Sequence, residues 1–171
     1  MSENRFEAAF LAGDKNEPFR ISINRDGQWF YNQQEITHQG VLRYFSQHLE
    51  RNSQGQHFLV LNRERCLVYV EDTPLLISII SYSHNSQESF KLILNDGSEE
   101  MLMVDTLNID AQDNIYCWVR NKTLEAKFKK NSYIELAKYL HYDEIIARFY
   151  LEQNGKRWYL NKREGNDHRV L

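Results

Sequence analysis

FRISINRDGQWFYNQQEI, residues 19–36, decides the fold class. Phe19, Ile21 and Ile23 alternate with polar residues, Asp26-Gly27 supplies the positive backbone φ of a tight turn, and Trp29 and Tyr31 resume the alternation. Side chains two apart share one face of a strand, so the stretch reads as a β-hairpin with an apolar and a polar side. The same pattern recurs downstream. FKLILNDGSEEMLMVDTL (90–107) reads as a hairpin turning at Asp96-Gly97, and ARFYLEQNGKRWYLNKR (147–163) as one turning at Asn154-Gly155. HFLVLN (57–62), CLVYVED (66–72), LLISIISYS (75–83), NIYCWVRN (114–121) and TLEAKFKK (123–130) are further strand-like runs, rich in β-branched and aromatic residues. The last two are joined by a turn at Asn121-Lys122.

Helical spacing is rarer. Thr37 is placed to cap a helix whose apolar stripe is Val41, Leu42, Phe45 and Leu49. Asn131 or Ser132 is placed to cap a second one, with Tyr133, Leu136, Ala137 and Leu140 inward. SENRFEAAFLA (2–12) reads as a short N-terminal docking helix ending at Gly13. Gly55-Gln56-His57-Phe58-Leu59 and Gly155-Lys156-Arg157-Trp158-Tyr159, each followed by Arg-Glu, echo one another, and each comes after a helix that itself follows strands. The expectation is therefore an α+β fold of antiparallel β-hairpins with two or three helices, arranged as two tandem related strand-helix-strand subdomains. An N-terminal helix or arm takes residues 1–17, the first subdomain 18–86, and the second 87–171, packed against the first. A crevice between the halves is then the natural place for a ligand.

Composition narrows the function. The chain is 42% hydrophobic and 13% aromatic with two Pro and seven Gly, which is enough apolar surface to fold and leaves little room for long linkers. At a net charge of −3 the molecule as a whole does not attract polyanions, so nucleic acid is not an expected partner. Charge is nonetheless segregated. Residues 88–113 carry seven carboxylates against Lys91, whereas 120–130 carry Arg120, Lys122, Lys127, Lys129 and Lys130 against Glu125. Two solvated faces, a head-to-tail contact between copies, or an acidic ligand would each account for this. The acidic start of the chain does not read as a secretory signal, and its longest apolar run, Leu75 to Ile80, is far short of a spanning helix. A cytoplasmic protein is expected, without a membrane partner and with Cys66 and Cys117 as buried inert thiols.

Chemical motifs are missing from the sequence. There is no GxSxG, P-loop, GxGxxG or HExxH, and the six histidines fall on different elements. The expectation is a protein that is not an enzyme and takes no cofactor. The most informative polar positions are Arg63-Glu64 followed by Glu71-Asp72-Thr73-Pro74, and Arg25-Asp26-Gly27, all of which suit turn chemistry as well as ligand contact. Arg120 and Glu125 flank a tight turn and are placed to pair across it. Glu64, Glu71 and Asp72 would also serve a small carboxylate-dependent hydrolase if they converged with raised pKa values.

INRDGQWF (23–30), the helix entry from Ile36 to Phe45, HFLVLNRERCLVYVEDTP (57–74) and VRNKTLEAKFKKNSYIEL (119–136) together resemble the bacterial domain-of-unknown-function family 1285. The resemblance runs from about residue 18 to 140. It implies a compact α+β fold with repeated structural motifs, a homodimer, and a role in signal transduction through a ligand held in a groove. The matching positions are Arg25, Asp26, Gly27 and Trp29; Glu64, Glu71, Asp72 and Pro74; and Arg120, Leu124, Glu125 and Ala126. His38 and Leu75 stand where the family pattern has Arg and an aromatic residue. The ligand-binding set expected from all this is Arg25, Asp26, Trp29, Glu64, Glu71, Asp72, Arg120 and Glu125, serving a small polar ligand or a protein partner. A purely structural dimer subunit is the remaining alternative.

Overall fold

The computed structural model describes residues 21–84 and 87–163. The predicted N-terminal helix lies outside them. The chain divides into two compact units, the first ending at Leu75 and the second beginning at Leu76.

In the first unit, β1 (Ile21–Ile23), β2 (Trp29–Tyr31) and β3 (Gln34–Glu35) form an antiparallel meander. Helix α1 (Gln39–Gln47) follows, then a second meander of β4 (Leu49–Arg51), β5 (His57–Leu61) and β6 (Glu64–Val70). β1 lies parallel to β6 in the middle, so the six-stranded order is β3-β2-β1-β6-β5-β4. The 19–36 hairpin forms as read. Its turn is built by Asn24, whose Oδ1 accepts from the amides of Asp26 and Gln28, while Gly27 takes φ 73°. α1 presents Val41 and Phe45 to the core, and the Phe45 ring meets Trp29 with centroids 5.8 Å apart. His38 rather than Thr37 caps this helix, its Nδ1 accepting from the Val41 amide at 3.3 Å.

The boundary falls after the first residue of β7 (Leu75–Ser83); the second unit holds the rest of that strand, β8 (Ser89–Leu94) and β9 (Glu99–Met101), passes a 3-10 turn at Val104–Thr106, and continues with β10 (Asn108–Ile109), β11 (Ile115–Val119) and β12 (Leu124–Phe128). Helix α2 (Lys130–Ala137) comes only after all six. β13 (Leu140–Asp143), β14 (Arg148–Gln153) and β15 (Lys156–Tyr159) then form a separate antiparallel sheet, and β16 (Asn161–Lys162) returns to pair parallel with β10. The larger sheet has the order β16-β10-β11-β12-β7-β8-β9. Its core face is carried by Ile115, Cys117 and Val119 opposite Leu124, Ala126 and Phe128, all buried. Neither Asn131 nor Ser132 caps α2. Ser132 sits inside the helix, where its hydroxyl donates to the carbonyls of Ile77 and Lys129. Of the predicted inward residues Leu136 is buried, whereas Ala137 is exposed and Leu140 belongs to β13.

The α+β expectation is overturned. Strands hold 49% of the described residues and helices 14%, in three sheets with two α-helices, so the fold is β-rich and is not made of strand-helix-strand repeats. The similarity between the two large sheets lies in their strand order. Reading β1–β6 and β7–β12 as successive sextets, each sheet places its first and sixth strands side by side and its third at an edge; the fourth strand is the other edge in the first sheet, whereas β16 lies beyond it in the second. One turn recurs at the corresponding hairpin. At β4–β5, Asn52 Oδ1 accepts from the amides of Gln54 and Gln56; at β10–β11, Asp110 Oδ1 accepts from those of Gln112 and Asn114. The echo between residues 55–64 and 155–164 instead joins unlike places, since β5 belongs to a six-stranded sheet and β15 to a three-stranded one. The physical reason is length. Only the first sextet has a full apolar helical stripe between its meanders; the second has the segment 102–107, which is long enough for one 3-10 turn.

Candidate functional site

The expected ligand-binding residues are mostly engaged in organising their own unit. In the first unit, Arg25 Nε meets Glu71 Oε1 at 2.7 Å and the Arg25 amide donates to Glu71 Oε2 at 3.2 Å. This pair is brought together as a site would require, but on an exposed rim where an ion pair contributes about 0–1 kcal/mol. Asp26 is exposed in the turn. Trp29 is core, packed against Phe45, and presents no face to a ligand. Glu64 begins β6 and Glu71 follows its last residue, so seven residues of strand, roughly 20 Å, separate them. Glu64, Glu71 and Asp72 therefore do not converge, and the carboxylate set imagined for a hydrolase is not assembled. Among the described residues no group of three or more His, Cys, Asp or Glu side chains is arranged to hold a metal ion.

In the second unit, Arg120 and Glu125 do not pair with each other. The Arg120 guanidinium binds Asp96, whose side chain is only 4% exposed, and the Arg120 amide donates to Glu100 Oε2 at 2.7 Å. Asp96 also accepts from the amide and hydroxyl of Ser98. These bonds hold Arg120, Asn121 and Lys122 in three consecutive left-handed conformations, with φ of 50°, 54° and 64°. Such backbone persists in non-glycine residues only where the surroundings over-determine it. Thr123 completes the brace by donating its hydroxyl to the Arg120 carbonyl. Lys122 meets Asp105 at 2.6 Å. The acidic stretch and the basic stretch noticed in the sequence thus neutralise each other within the unit, at least at Arg120 and Lys122.

Glu125 faces the other side of β12 and is bound by Arg163, whose Nε and Nη2 reach its carboxylate at 2.8–3.2 Å. The same guanidinium lies 3.7 Å above the Tyr116 ring. Tyr116 in turn donates its hydroxyl to Asp110 at 3.0 Å. Burial pushes the Asp110 carboxyl up, but hydrogen bonds from Asn114, Gln112 and Tyr116 outweigh it and hold the group below its ordinary 3.8. The stability it contributes is therefore complete above that value and lost as pH falls through the folded one. Denaturation midpoints at about pH 7 and about pH 3 should fall further for the native chain than for Asp110→Asn, which keeps an acceptor but has no charge to lose. Equal falls would show that this carboxylate is not linked to folding. Cys117 is buried, and burial with Glu100 and Glu125 nearby pushes its thiol up; Cys66 is half-buried, contrary to expectation.

One surface in the second unit was not anticipated. Pairing in the small sheet puts Leu140, Tyr142, Phe149, Leu151 and Trp158 on one face and His141, Asp143, Arg148, Tyr150, Arg157 and Tyr159 on the other. The polar face is closed on itself. His141, Tyr150 and Tyr159 lie side by side across the three strands, Arg157 and Arg148 cover the Tyr150 and Tyr159 rings, and Tyr159 donates to Asp143 at 2.9 Å. The apolar face is covered at one end only. Leu151 is wholly buried, yet Phe149 and Tyr142, whose tilted rings have centroids 5.0 Å apart, are 40% and 52% exposed. Beyond them the hairpin turn carries Ile146 at 47% and Ile145 at 95% exposure. Turns favour Gly, Pro, Asn and Asp, and Ile145-Ile146 is the signal in the sequence that would have drawn attention to this place.

Comparison with known proteins agrees with the fold. The model of the N-terminal domain of a domain-of-unknown-function family, DUF1285, matches residues 12–73. A crystal structure of a DUF1285 family protein from Silicibacter pomeroyi DSS-3 superposes with a TM-score of 0.71 at 22% identity, over 85% of this chain and 81% of that one. Another, from Shewanella baltica OS155, gives 0.60 at 20% identity, over 69% of this chain and 90% of that one. No curated protein matches the chain. Among the described residues no helix is long and apolar enough to cross a membrane. The sequence motifs and the shared fold agree with one another: residues 12–73 match the N-terminal domain of the DUF1285 family, and the chain has the fold of two proteins of that family.

Proposed function

We propose that this protein is a non-catalytic, cytoplasmic binding module that recognises a protein partner in a regulatory or signal-transduction setting, and that the β13–β14 hairpin is its recognition surface. The observation that carries this reading is the apolar face that is buried at Leu151 and uncovered at Phe149 and Tyr142, with Ile145 and Ile146 exposed in the turn that joins their two strands. Exposed apolar side chains elsewhere, such as Tyr69, Ile79, Met101 and Ile134, belong to other elements; single ones are ordinary on a soluble surface, whereas a contiguous group marks an interaction site. Complete burial of an isoleucine side chain is worth about 1.5–3 kcal/mol, so Ile145 and Ile146 together would be a substantial anchor. A small polar ligand is the less favoured occupant, because Arg120 and Glu125 would have to leave Asp96 and Arg163 to reach it.

The test compares Ile145→Glu and Ile146→Glu with Ile134→Glu, a site on α2 about as exposed as Ile146. A photo-crosslinker placed at Tyr142 should capture a defined protein in cells expressing the native chain and the Ile134 variant. Both hairpin variants should lose that product while keeping their denaturation midpoint, since exposed substitutions typically change stability by less than about 0.5 kcal/mol. Capture unchanged in the hairpin variants would remove the reading.

A further inference from the structure

β13 is the edge strand of the small sheet, next to β14 on one side. Its four residues pair with β14 in unbroken register from Leu140↔Leu151 to Asp143↔Arg148. Soluble proteins commonly blunt such an edge by keeping it short, or with charge, a proline or a bulge; Leu-His-Tyr-Asp is short and ends on Asp143, but it has no lysine, proline or bulge. The uncovered apolar side chains lie beside this same edge: Tyr142 is on β13 itself and Phe149 is its cross-strand partner. Among the described residues no other strand pairs with the outer side of β13, so a segment that covers them meets its backbone donors and acceptors.

We infer that β13 receives an extended segment of a partner protein as a fourth strand of this sheet, with apolar side chains at alternate positions packing over Tyr142 and Phe149. This rests on the protein-binding role proposed for the hairpin and specifies its chemistry. A strand added to a sheet edge gains main-chain hydrogen bonds and places every second side chain on one face, which is what an open edge beside a one-sided apolar patch requires. The edge is about 13 Å long. Against a second copy of itself, so short a strand would make a contact well below the ~1,000 Å² that a stable dimer clears, whereas a flexible peptide can continue past β13 onto Ile146. Exposed Glu144, next to Asp143 at the end of the strand, favours a lysine or arginine flanking the segment.

The experiment selects random dodecapeptides on the full chain and measures labelled winners by fluorescence anisotropy. The expected winners have apolar residues at alternate positions. N-methylation of the amides facing β13 should weaken them at least about tenfold while methylation of the intervening amides does not, and Tyr142→Glu should abolish binding. If winners lose binding to Ile145→Glu but tolerate every N-methylation, strand addition is overturned and the hairpin remains a docking surface. If the native chain enriches nothing that Ile145→Glu does not, both readings fall. If sedimentation shows the chain dimerising at assay concentrations and Tyr142→Glu abolishing the dimer, the occupant is a second copy and the proposal is overturned.

Discussion

Arg120→Met should lower the stability of the second unit by about 3 kcal/mol, the lower end of the range for breaking one side of a buried ion pair. Asp96 is 4% exposed and Arg120 is 20% exposed, so the carboxylate left behind has little water to replace its partner. The guanidinium also fixes a turn of three consecutive left-handed residues, and that strain would lose its restraint at the same time. Asp96→Ala should cost a similar amount, and the double variant less than the two single changes together, because the second removes a charge already orphaned. Amide hydrogen exchange in β11 and β12 reports this directly. Protection there should fall in each single variant, and an effect within about 0.5 kcal/mol would show that the pair is a surface ornament. The result matters for function, since a ligand site at Arg120 predicts that its removal spares the fold.

Trp29→Ala should destabilise the first unit by about 3–5 kcal/mol, the usual cost of truncating a large buried aromatic side chain. The indole, on β2, is buried and meets Phe45 of α1, and its cross-strand partner Ile23 and nearby Ile21 are fully buried, so a cavity at that place has little room to collapse. Trp29→Phe should cost considerably less, because most of the apolar contact is retained. Urea titration of the full chain, followed by exchange in β1, β2 and β6, separates the two. If Trp29→Ala leaves those amides protected, the residue is not core and its place among ligand contacts has to be restored.

The hairpins could be read without coordinates because their information is local. Asp26-Gly27, Asp96-Gly97 and Asn154-Gly155 specify a turn through the conformations of two residues, and the flanking alternation specifies which side is buried. The same locality explains the errors. Thr37 is as good a cap as His38 by composition, and only the path of the chain into α1 decides between them. β13 was missed because four residues following a helix give too short a run for a period of two to stand out. Charged turns looked like a binding set because sequence shows where a charge sits along the chain and is silent on what faces it across a sheet.

What this sequence determines alone is its local β-hairpins, its resemblance to the DUF1285 family, and the presence of unlike charges in separate stretches. Only the tertiary structure decides that β1 joins β6, that Arg120 answers Asp96 twenty-four residues away, that Glu125 answers Arg163, and that Tyr142 and Phe149 are left uncovered. The division has one physical cause. Turn and strand preferences are settled by neighbours along the chain, whereas strand order, ion pairing and burial are settled by packing between residues far apart in sequence, and many chains with the same local preferences would pack differently.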